Sequence, residues 1–385
     1  MAPSMNILAL NWRCTRHPQA GGAELNLFEQ AKRWIDEGHE VTVFCSDPGR
    51  GHAPVRDECL GGTQIIRRGG RFSVYLYAAI FLLLNFWKYD RVLDVANGIP
   101  FFTPLFTVRP VVLLVHHVHD RQWFAEFSFP LATVGWFLER RIVPLLYRRR
   151  PVIAVSPTTR DALVGTGVPE SRIRVIYNGV EQSGQSEQVA YSGERRIAYV
   201  GRIKRYKRLE RLVRMIPELQ NEFPDVHLDI AGAGDAGSQI AVLIDELGVQ
   251  DCVTMHGFVD DRKKAEILGR AAVFATPSMH EGWGLSVIEA NGHGCPAVAY
   301  DVPGLRVAIQ HGKTGILAPD DDAFRRALSL FLDDAEVRRR YSVAALGWAG
   351  GFTWESCAAE TLEVLYTDSA SRTSRAEGVP GDLAA

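Results

Sequence analysis

The chain has 385 residues, of which 46% are hydrophobic and 23% are charged, and its formal net charge is −2. At roughly 150 residues per domain, this length predicts two or three domains, and the composition excludes a disordered or collagen-like chain. The nearly balanced charge excludes a general attraction to nucleic acid, so we expect no nucleic-acid partner.

The N-terminal half alternates short apolar runs with longer segments typical of helices. Strands are predicted at residues 5–11, 40–45, 63–67, 92–95, 111–115 and 152–155, and a helix is predicted to begin at Gly21-Gly22 and to end near Gly38. Such alternation is typical of a parallel sheet with helices on both faces. Because the first apolar run is short and Arg13 follows it, we expect no signal peptide, a cytoplasmic location and reduced cysteines.

Residues 73–87 are almost wholly apolar and are flanked by Arg71 and Lys88. A helix of this length spans only about 22 Å, less than the roughly 30 Å hydrocarbon core of a membrane. Two interpretations stay open: a helix packed inside the domain, or a helix that lies in a membrane interface. Further arginines of the same half would favour an anionic bilayer, or would form a solvated face: Arg140, Arg141, Arg148, Arg149 and Arg150.

The polar segment 181–195 is predicted to be a linker, because it lacks periodicity and contains glycine and serine. A second alternating series follows it, with strands at 196–200, 226–231, 253–258, 273–276 and 297–300. We therefore predict two doubly wound domains at 1–180 and 196–350, with a disordered tail at 367–385.

The densest group of candidate site residues follows the predicted strand 273–276. Gly282 and Gly284 permit a tight turn into a helix, and the free N–H groups of that helix end would attract an anion. Glu281 and Glu289 flank this turn, and a carboxylate there could bind a vicinal diol such as ribose. The alternative makes Glu281 a partner of the helix dipole and Glu289 a solvated residue.

A cluster of five cations follows the strand 196–200. Gly201 is followed by Arg202 and Lys207, which suit a diphosphate, at the strand end where α/β sheets bind ligands. The alternative is a basic helix start, which is disfavoured because cations oppose the dipole at that end.

Two further groups end strands of the first half. Gly21 and Gly22 would allow a ligand to approach a helix N-terminus closely. His116, His119 and Asp120 end the strand 111–115 and are better placed to hydrogen-bond a ligand than to hold metal, because no second ligand cluster accompanies them. We expect no metal site.

Residues 232–237 fit G-x-G-x-x-G, but they do not predict a nicotinamide site. The acidic residue of a dinucleotide fingerprint ends the next strand, whereas Asp251 precedes the strand 253–258. An ordinary strand–turn–helix is the preferred interpretation.

Together, the motifs resemble glycosyltransferase family 4, the retaining nucleotide-sugar transferases with the GT-B fold. The resemblance covers residues 5–366, and its most specific part is the E-x7-E pattern from Glu281 to Glu289. Gly201-Arg202 with Lys207, and the stretches 175–180, 294–299 and 312–319, add matches in the family's order. The chain departs from the family pattern at Arg208, where many members have glycine, and at 291–293.

The resemblance implies two Rossmann-like domains that face an interdomain cleft, with the acceptor bound at 1–180, the donor at 196–350, and a helix at 351–366 returning to the first domain. It implies catalytic roles for Glu281, His116, Arg202 and Lys207. Donor binding would involve Glu289, Gly282, Trp283, Gly284, Leu285, Gly201, Gly21 and Gly22, and the acceptor or sugar would lie near His119, Asp120 and Arg13.

The implied activity is retaining transfer of a hexose-type sugar from a UDP- or GDP-linked donor, without a required cofactor. The acceptor would be a hydroxyl of a glycan, lipid-linked or envelope saccharide, as in polysaccharide biosynthesis, with possible peripheral contact to the inner face of the cell membrane. The alternatives are a nucleotide-sugar epimerase or hydrolase of the same fold, a transferase with a soluble small-molecule acceptor, and a non-catalytic binding module.

Overall fold

The computed structural model describes residues 3–17, 20–49, 57–120, 122–181 and 193–367, and within these ranges the strands form two separate sheets. All strand pairs are parallel except one at an edge of the first sheet. The predicted α/β architecture with two doubly wound sheets is confirmed.

The first sheet has the strand order β3-β4-β2-β1-β5-β6-β7-β8. Its strands are β1 (Asn6–Leu10), β2 (Glu40–Cys45), β3 (Asp57–Leu60), β4 (Thr63–Arg67), β5 (Arg91–Asn97), β6 (Val111–His117), β7 (Val152–Ala154) and β8 (Ile173–Val175). The two outer strands β3 and β8 are absent from the sequence prediction. Both are short, and the antiparallel β3 alternates exposed and half-buried residues, so neither has the continuous apolar run of an inner strand.

The second sheet has the order β11-β10-β9-β12-β13-β14. Its strands are β9 (Arg196–Val200), β10 (His227–Ala231), β11 (Val253–Gly257), β12 (Val273–Thr276), β13 (Ala297–Tyr300) and β14 (Gly315–Ala318). The order reverses between β9 and β12, and a reversal of this kind opens a crevice at the carboxyl ends of the strands. Both β9 and β12 end in predicted site motifs.

Helices cover both faces of each sheet. The helices are α1 (Gly22–Asp36), α2 (Val74–Asn85), α3 (Gln122–Glu126), α4 (Phe129–Phe137), α5 (Val143–Tyr147), α6 (Pro157–Thr166), α7 (Leu209–Glu222), α8 (Gly237–Leu247), α9 (Asp261–Arg270), α10 (Leu285–Gly292), α11 (Pro303–Ala308), α12 (Asp321–Asp333), α13 (Ala335–Ala349) and α14 (Trp354–Tyr366). A π-helical turn (Leu138–Ile142) joins α4 to α5.

The central strands are buried on both faces, as parallel sheets require. Residues 7–10 of β1 are fully buried: Ile7 and Ala9 belong to the cluster that α1 covers, and Leu8 and Leu10 belong to the cluster on the opposite face. This rigid centre fixes the positions of the loops that follow the strands.

The last helix, α14, packs against the first domain. Trp34 of α1 donates an indole hydrogen bond to the carbonyl of Ala358 at 2.9 Å, and Leu362 and Leu365 join the core cluster of β1 and α1. The chain therefore passes from the second sheet back to the first. Most of the predicted linker, 182–192, and the tail from 368 onward lie outside the described residues.

The apolar segment 73–87 forms α2 and a short 3₁₀ turn (Phe86–Lys88). Only Val74, Ala78 and Leu82 of α2 are buried, so the helix packs in the domain through one face and the two interpretations stay open for its other face. Among the described residues, we find no helix long and apolar enough to cross a membrane.

Candidate active site between the two sheets

The loops that end β1 and β6 meet the loops that end β9 and β12. A Cβ atom placed on Gly21 would lie 3.9 Å from Nε of Arg202, and one placed on Gly282 would lie 2.8 Å from the carbonyl oxygen of His116. Ser156, the N-cap of α6, also donates a 2.7 Å hydrogen bond to the carbonyl of Gly282. Residues predicted separately in the two halves therefore come together at one interdomain cleft.

The loop that carries Arg202 and Lys207 is braced by the G-x-G-x-x-G segment. The N–H of Ile203 donates to the carbonyl of Ala233 at 3.0 Å, and a Cβ on Gly232 would lie 1.9 Å from the carbonyl oxygen of Gly201. Gly232 and Gly234 of that motif therefore serve close backbone packing within a strand–turn–helix. They position the neighbouring cationic loop.

Lys207 and Glu281 form an ion pair beneath this loop. Lys207 Nζ lies 2.5 Å from Glu281 Oε1, which also accepts a 2.7 Å hydrogen bond from the hydroxyl of Ser278. Burial lowers the pKa of Lys207, but the charge and hydrogen bond of Glu281, together with the nearby Tyr206, more than compensate, so the pKa is raised. The lysine is therefore held as a cation at the floor of the cleft.

The backbone conformation at Arg208 explains why many family members have glycine at this position. Its backbone has φ 49° and ψ 37°, the left-handed conformation that glycine adopts most easily. The Arg208 guanidinium lies over the ring of Tyr300, 4.9 Å from its centroid, and Nε donates to the carbonyl of Pro277. These contacts offset the cost of the conformation.

The turn after β12 presents its backbone to the cleft. Gly284 has φ 89° and α10 begins directly after it, so the first N–H groups of α10 are free of intrahelical partners. The side chain of Trp283 is 3% exposed and packs with Tyr177 and Phe352 in the core, so the donor-binding role expected of this residue stays a prediction for its backbone. Only its backbone can contribute to the cleft.

Glu289 lies one turn inside α10 and is not solvated. Its Oε1 accepts a 2.9 Å bond from Nζ of Lys264 on α9, and the carboxylate is 15% exposed. A ligand diol could bind the remaining carboxylate oxygen. Lys264 is a candidate site residue that sequence analysis missed, since it lies 25 residues away with no motif around it.

The N-terminus of α1 is capped from within. Glu24 accepts a 2.7 Å hydrogen bond from the N–H of Gly21, and burial raises the pKa of this carboxyl. Arg13, predicted near the acceptor, lies over the ring of Trp12, 4.1 Å from its centroid. Burial lowers the pKa of Arg13, the charge of Glu24 opposes this shift, and the charge of Arg202 adds to it. A Cβ on Gly22 would lie 3.1 Å from Leu285 of the opposite domain. This end of α1 therefore borders the start of α10 in the second domain.

The histidines at the end of β6 and just after it are neutral. Burial lowers the pKa of His116 to about 4 and that of His119 to about 3. The buried Nε2 of His116 and Nδ1 of His119 have no hydrogen-bond partner among the described residues. Across the cleft, Nε2 of His280 lies 3.1 Å from Nε2 of His117. Because buried polar atoms normally have a partner, His116 and His119 are candidate ligand-binding residues.

Asp120 is placed differently from the two histidines. Its carboxylate accepts from Arg140 at 3.1 Å and from the indole of Trp136 at 3.3 Å, so it is tied to the helices behind the loop. These contacts help to hold the loop, and the expected place of Asp120 near the acceptor stays a prediction.

Glu139 in the π-helical turn also holds the histidine loop and was missed by sequence analysis. This buried carboxylate accepts from the backbone N–H groups of His119 and Asp120, at 2.7 and 2.8 Å, and from the indole of Trp123. Burial raises its pKa. Nothing in the local sequence marks it, because the contacts arise only when the helix packs against the loop.

In the part of the chain that the structure describes, no group of three or more histidine, cysteine, aspartate or glutamate side chains is arranged to hold a metal ion.

Two family descriptions match consecutive parts of the chain. "Glycosyltransferase Family 4" matches residues 20–183, and "Glycosyl transferases group 1" matches residues 182–348. The chain belongs to glycosyltransferase family 4. Its cleft thus lies between a family 4 N-terminal domain and a group 1 C-terminal domain.

Relatives and solved structures agree with this assignment. The D-inositol 3-phosphate glycosyltransferase of Corynebacterium diphtheriae is 35% identical over 185 residues, which are 45% of this chain and 42% of the relative. The matched segment thus spans less than half of that curated relative. Anabaena Alr3699/HepE, solved in complex with UDP and glucose, has a TM-score of 0.72 at 20% identity and covers 94% of this chain and 99% of its own. WaaG, a glycosyltransferase involved in lipopolysaccharide biosynthesis, has a TM-score of 0.73 at 16% identity, with coverages of 94% and 100%. These neighbours establish the GT-B fold.

Proposed function

We propose that this family 4 protein transfers a hexose-type sugar from a UDP- or GDP-linked donor to an acceptor hydroxyl, with retention of the anomeric configuration. One observation carries the proposal: Arg202 and the Lys207–Glu281 pair lie beside the 282–285 turn, opposite Gly21 and His116. Fixed cations, free helix N–H groups and unpartnered histidine nitrogens at one cleft suit a sugar diphosphate.

The cations would act on the leaving group. When the bond between the anomeric carbon and the phosphate oxygen breaks, negative charge grows on the diphosphate and the sugar gains oxocarbenium character. Arg202, Lys207 and the N–H groups at the start of α10 would stabilise this charge because they are already in place. In this proposal, these groups take the place of a metal ion in stabilising the leaving diphosphate.

Retention would follow from attack on the same face of the sugar. The acceptor oxygen forms the new bond to the anomeric carbon, and its proton passes to the departing phosphate oxygen. We assign no carboxylate as a nucleophile, because Glu281 is paired with Lys207 and Ser278. Neutral His116 would bind a sugar hydroxyl, and its low pKa prevents a positive charge beside the developing cation.

The nucleoside would lie along α10. Glu289 is oriented by Lys264, and its second oxygen would accept hydrogen bonds from the ribose diol. Closure of the two domains around the donor would exclude water and limit hydrolysis.

We propose a glycan or lipid-linked saccharide as acceptor, at the cytoplasmic face of the membrane, within polysaccharide biosynthesis. A second candidate is a small polar acceptor, because the curated relative is named for inositol 3-phosphate. A nucleotide-sugar epimerase or hydrolase stays the alternative that needs no acceptor.

A thermal-shift panel of UDP-, GDP-, ADP- and TDP-sugars, with and without Mg²⁺, tests the donor. A donor at 100 times its Kd should add about 2.7 kcal/mol to the free energy of unfolding. Proton NMR of the product from an α-linked donor then tests retention: an α-glycoside supports the proposal, and a β-glycoside contradicts it. Appearance of free sugar or an epimer without acceptor would favour the alternative.

A further inference from the structure

Two helical elements of the first domain expose large apolar side chains. In α2 and its flanks, these are Phe72, Leu76, Tyr77, Ile80, Leu83, Leu84 and Trp87, each at least 45% exposed. In and around α4 and α5, they are Phe124, Phe129, Leu131, Val134, Phe137 and Leu145. Phe129 is 76% exposed and Leu76 is 64% exposed. We call these two sets together the apolar surface.

The two parts of the apolar surface adjoin at Arg71. The Arg71 guanidinium lies over the ring of Phe72, at the start of α2, and over the ring of Phe127, just before α4, at 5.3 and 5.5 Å from their centroids. An arginine that stacks on both rings places the N-terminal ends of the two helices side by side.

Arg71 also connects this surface to the cleft. Its backbone carbonyl accepts a 3.0 Å hydrogen bond from the indole of Trp12, and Trp12 in turn carries Arg13 on its ring. Arg13 is close enough to Glu24 and Arg202 for their charges to act on it. The apolar surface therefore begins at the first-domain rim of the cleft.

Charge decides which occupant fits. The segment 71–150 carries ten Arg and Lys against five Asp and Glu, while the whole chain has a net charge of −2. Two of those acids, Asp94 and Glu139, are buried. Exposed cations follow the apolar stretches along the chain: Lys88 after α2, Arg141 after α4, and Arg148 with Arg149 after α5. A second copy of the chain would oppose like charges, whereas anionic lipid would neutralise them.

The two helices are apolar, and the nearby cations lie beyond their ends. Neither α2 nor α4 contains a charged residue, and α2 is about 18 Å long, so it can lie flat at a bilayer surface but cannot span it. Apolar side chains would enter the acyl boundary while arginines bind the headgroups.

We infer that the apolar surface docks on an anionic lipid bilayer and that the cleft opens at that bilayer. The opening of the cleft at the bilayer deepens the proposed function and rests on it, because a lipid-linked acceptor would then reach the rim at Trp12 and Arg13 without leaving the membrane. Docking itself depends on the surface alone.

Vesicle flotation tests docking. The full chain should float with phosphatidylcholine vesicles containing 30 mol% phosphatidylglycerol, and about tenfold less with pure phosphatidylcholine. The double variant Leu76→Glu/Leu83→Glu, and separately Phe129→Glu, should reduce partitioning by about tenfold or more. Val242→Glu and Phe258→Glu are matched controls, because both sites are exposed apolar residues of the second domain; these variants should float like the wild type.

The result that would overturn the inference is a chain that stays unbound with both vesicles while its thermal unfolding is normal. A dimer by light scattering that Leu76→Glu/Leu83→Glu converts to a monomer would also overturn it, since a second copy would then cover the surface. Donor thermal shift is measured on the same samples. Loss of donor binding with retained flotation would defeat the proposed function only, and the reverse would defeat docking only.

Discussion

Replacing Lys207 by methionine removes one charge from the floor of the cleft and keeps the length of the side chain. Lys207 Nζ is 2.5 Å from Glu281 Oε1, and both side chains are nearly buried. Lys204 is three residues earlier in the same loop, where it pairs with Asp235 at 2.7 Å on the surface. Lys204→Met is therefore a matched control for charge, side-chain length and local sequence.

The two substitutions should differ greatly in magnitude. A fixed donor at a developing oxyanion is worth about 10²–10³ in rate, so Lys207→Met should lower turnover by that factor. Breaking a buried ion pair from one side costs about 3–5 kcal/mol, and we expect the low end because Glu281 keeps the Ser278 hydroxyl. A surface pair such as that of Lys204 contributes about 0–1 kcal/mol, and its loss should leave turnover within about threefold of wild type.

Release of nucleoside diphosphate measures turnover, and urea unfolding measures stability. Both variants are assayed well below their unfolding midpoints, so that a loss of rate is not a loss of folded protein. Equal turnover in the two variants would refute the assignment of Lys207 to the leaving group. A loss of stability without a loss of turnover would make the ion pair purely structural.

Three further outcomes follow from the geometry of the cleft. Gly282→Ala would place a Cβ atom 2.8 Å from the His116 carbonyl oxygen, so we expect turnover to fall by about tenfold or more. The control Gly269→Ala has open space around the new Cβ atom and should leave turnover unchanged. Equal rates in the two variants would exclude the close approach of Gly282 to His116. Glu139→Gln places an amide N–H₂ against the backbone N–H donors of His119 and Asp120, so it should lower the free energy of unfolding in urea by about 1–3 kcal/mol. We expect a lower kcat with an unchanged KM for the donor. A parallel change in KM would argue against a positioning role. In the folded chain, the pKa of His119 is about 3, so below pH 6.5 the unfolded chain binds a proton that the folded chain does not. From pH 7.5 to 5.5 the free energy of unfolding should therefore fall by about 1 kcal/mol because of this residue. His119→Asn should remove that part of the pH dependence.

Local sequence patterns predicted the bounds of several strands, the α/β class and one turn of the candidate site. The strands at 40–45, 63–67, 196–200, 273–276 and 297–300 have their predicted bounds, because short runs rich in apolar and β-branched residues, flanked by loop residues, mark strands. The α/β class follows from their alternation with helices. Gly282 and Gly284 predicted the tight turn before α10, where Gly284 has a φ of 89°.

Properties that depend on packing could not be predicted. Lys264 and Glu139 acquire their partners only when separate helices come together, and no local pattern marks them. Trp283 stands between two glycines of a binding turn, yet its size directs the side chain into the core. Helix α2 is apolar on all sides, so its sequence could not tell the buried stripe of Val74, Ala78 and Leu82 from the exposed face.

Calorimetric titration of nucleotide sugars tests the central claim, that the cleft holds a sugar diphosphate with its ribose at Glu289. Wild type should bind one UDP- or GDP-sugar at one site per chain, and Glu289→Gln should weaken binding by about tenfold, the value of one charge-assisted hydrogen bond. Glu266→Gln, at an exposed carboxylate that Lys263 pairs, should bind as wild type does. No binding of any donor, or equal affinity in all three proteins, would contradict the account.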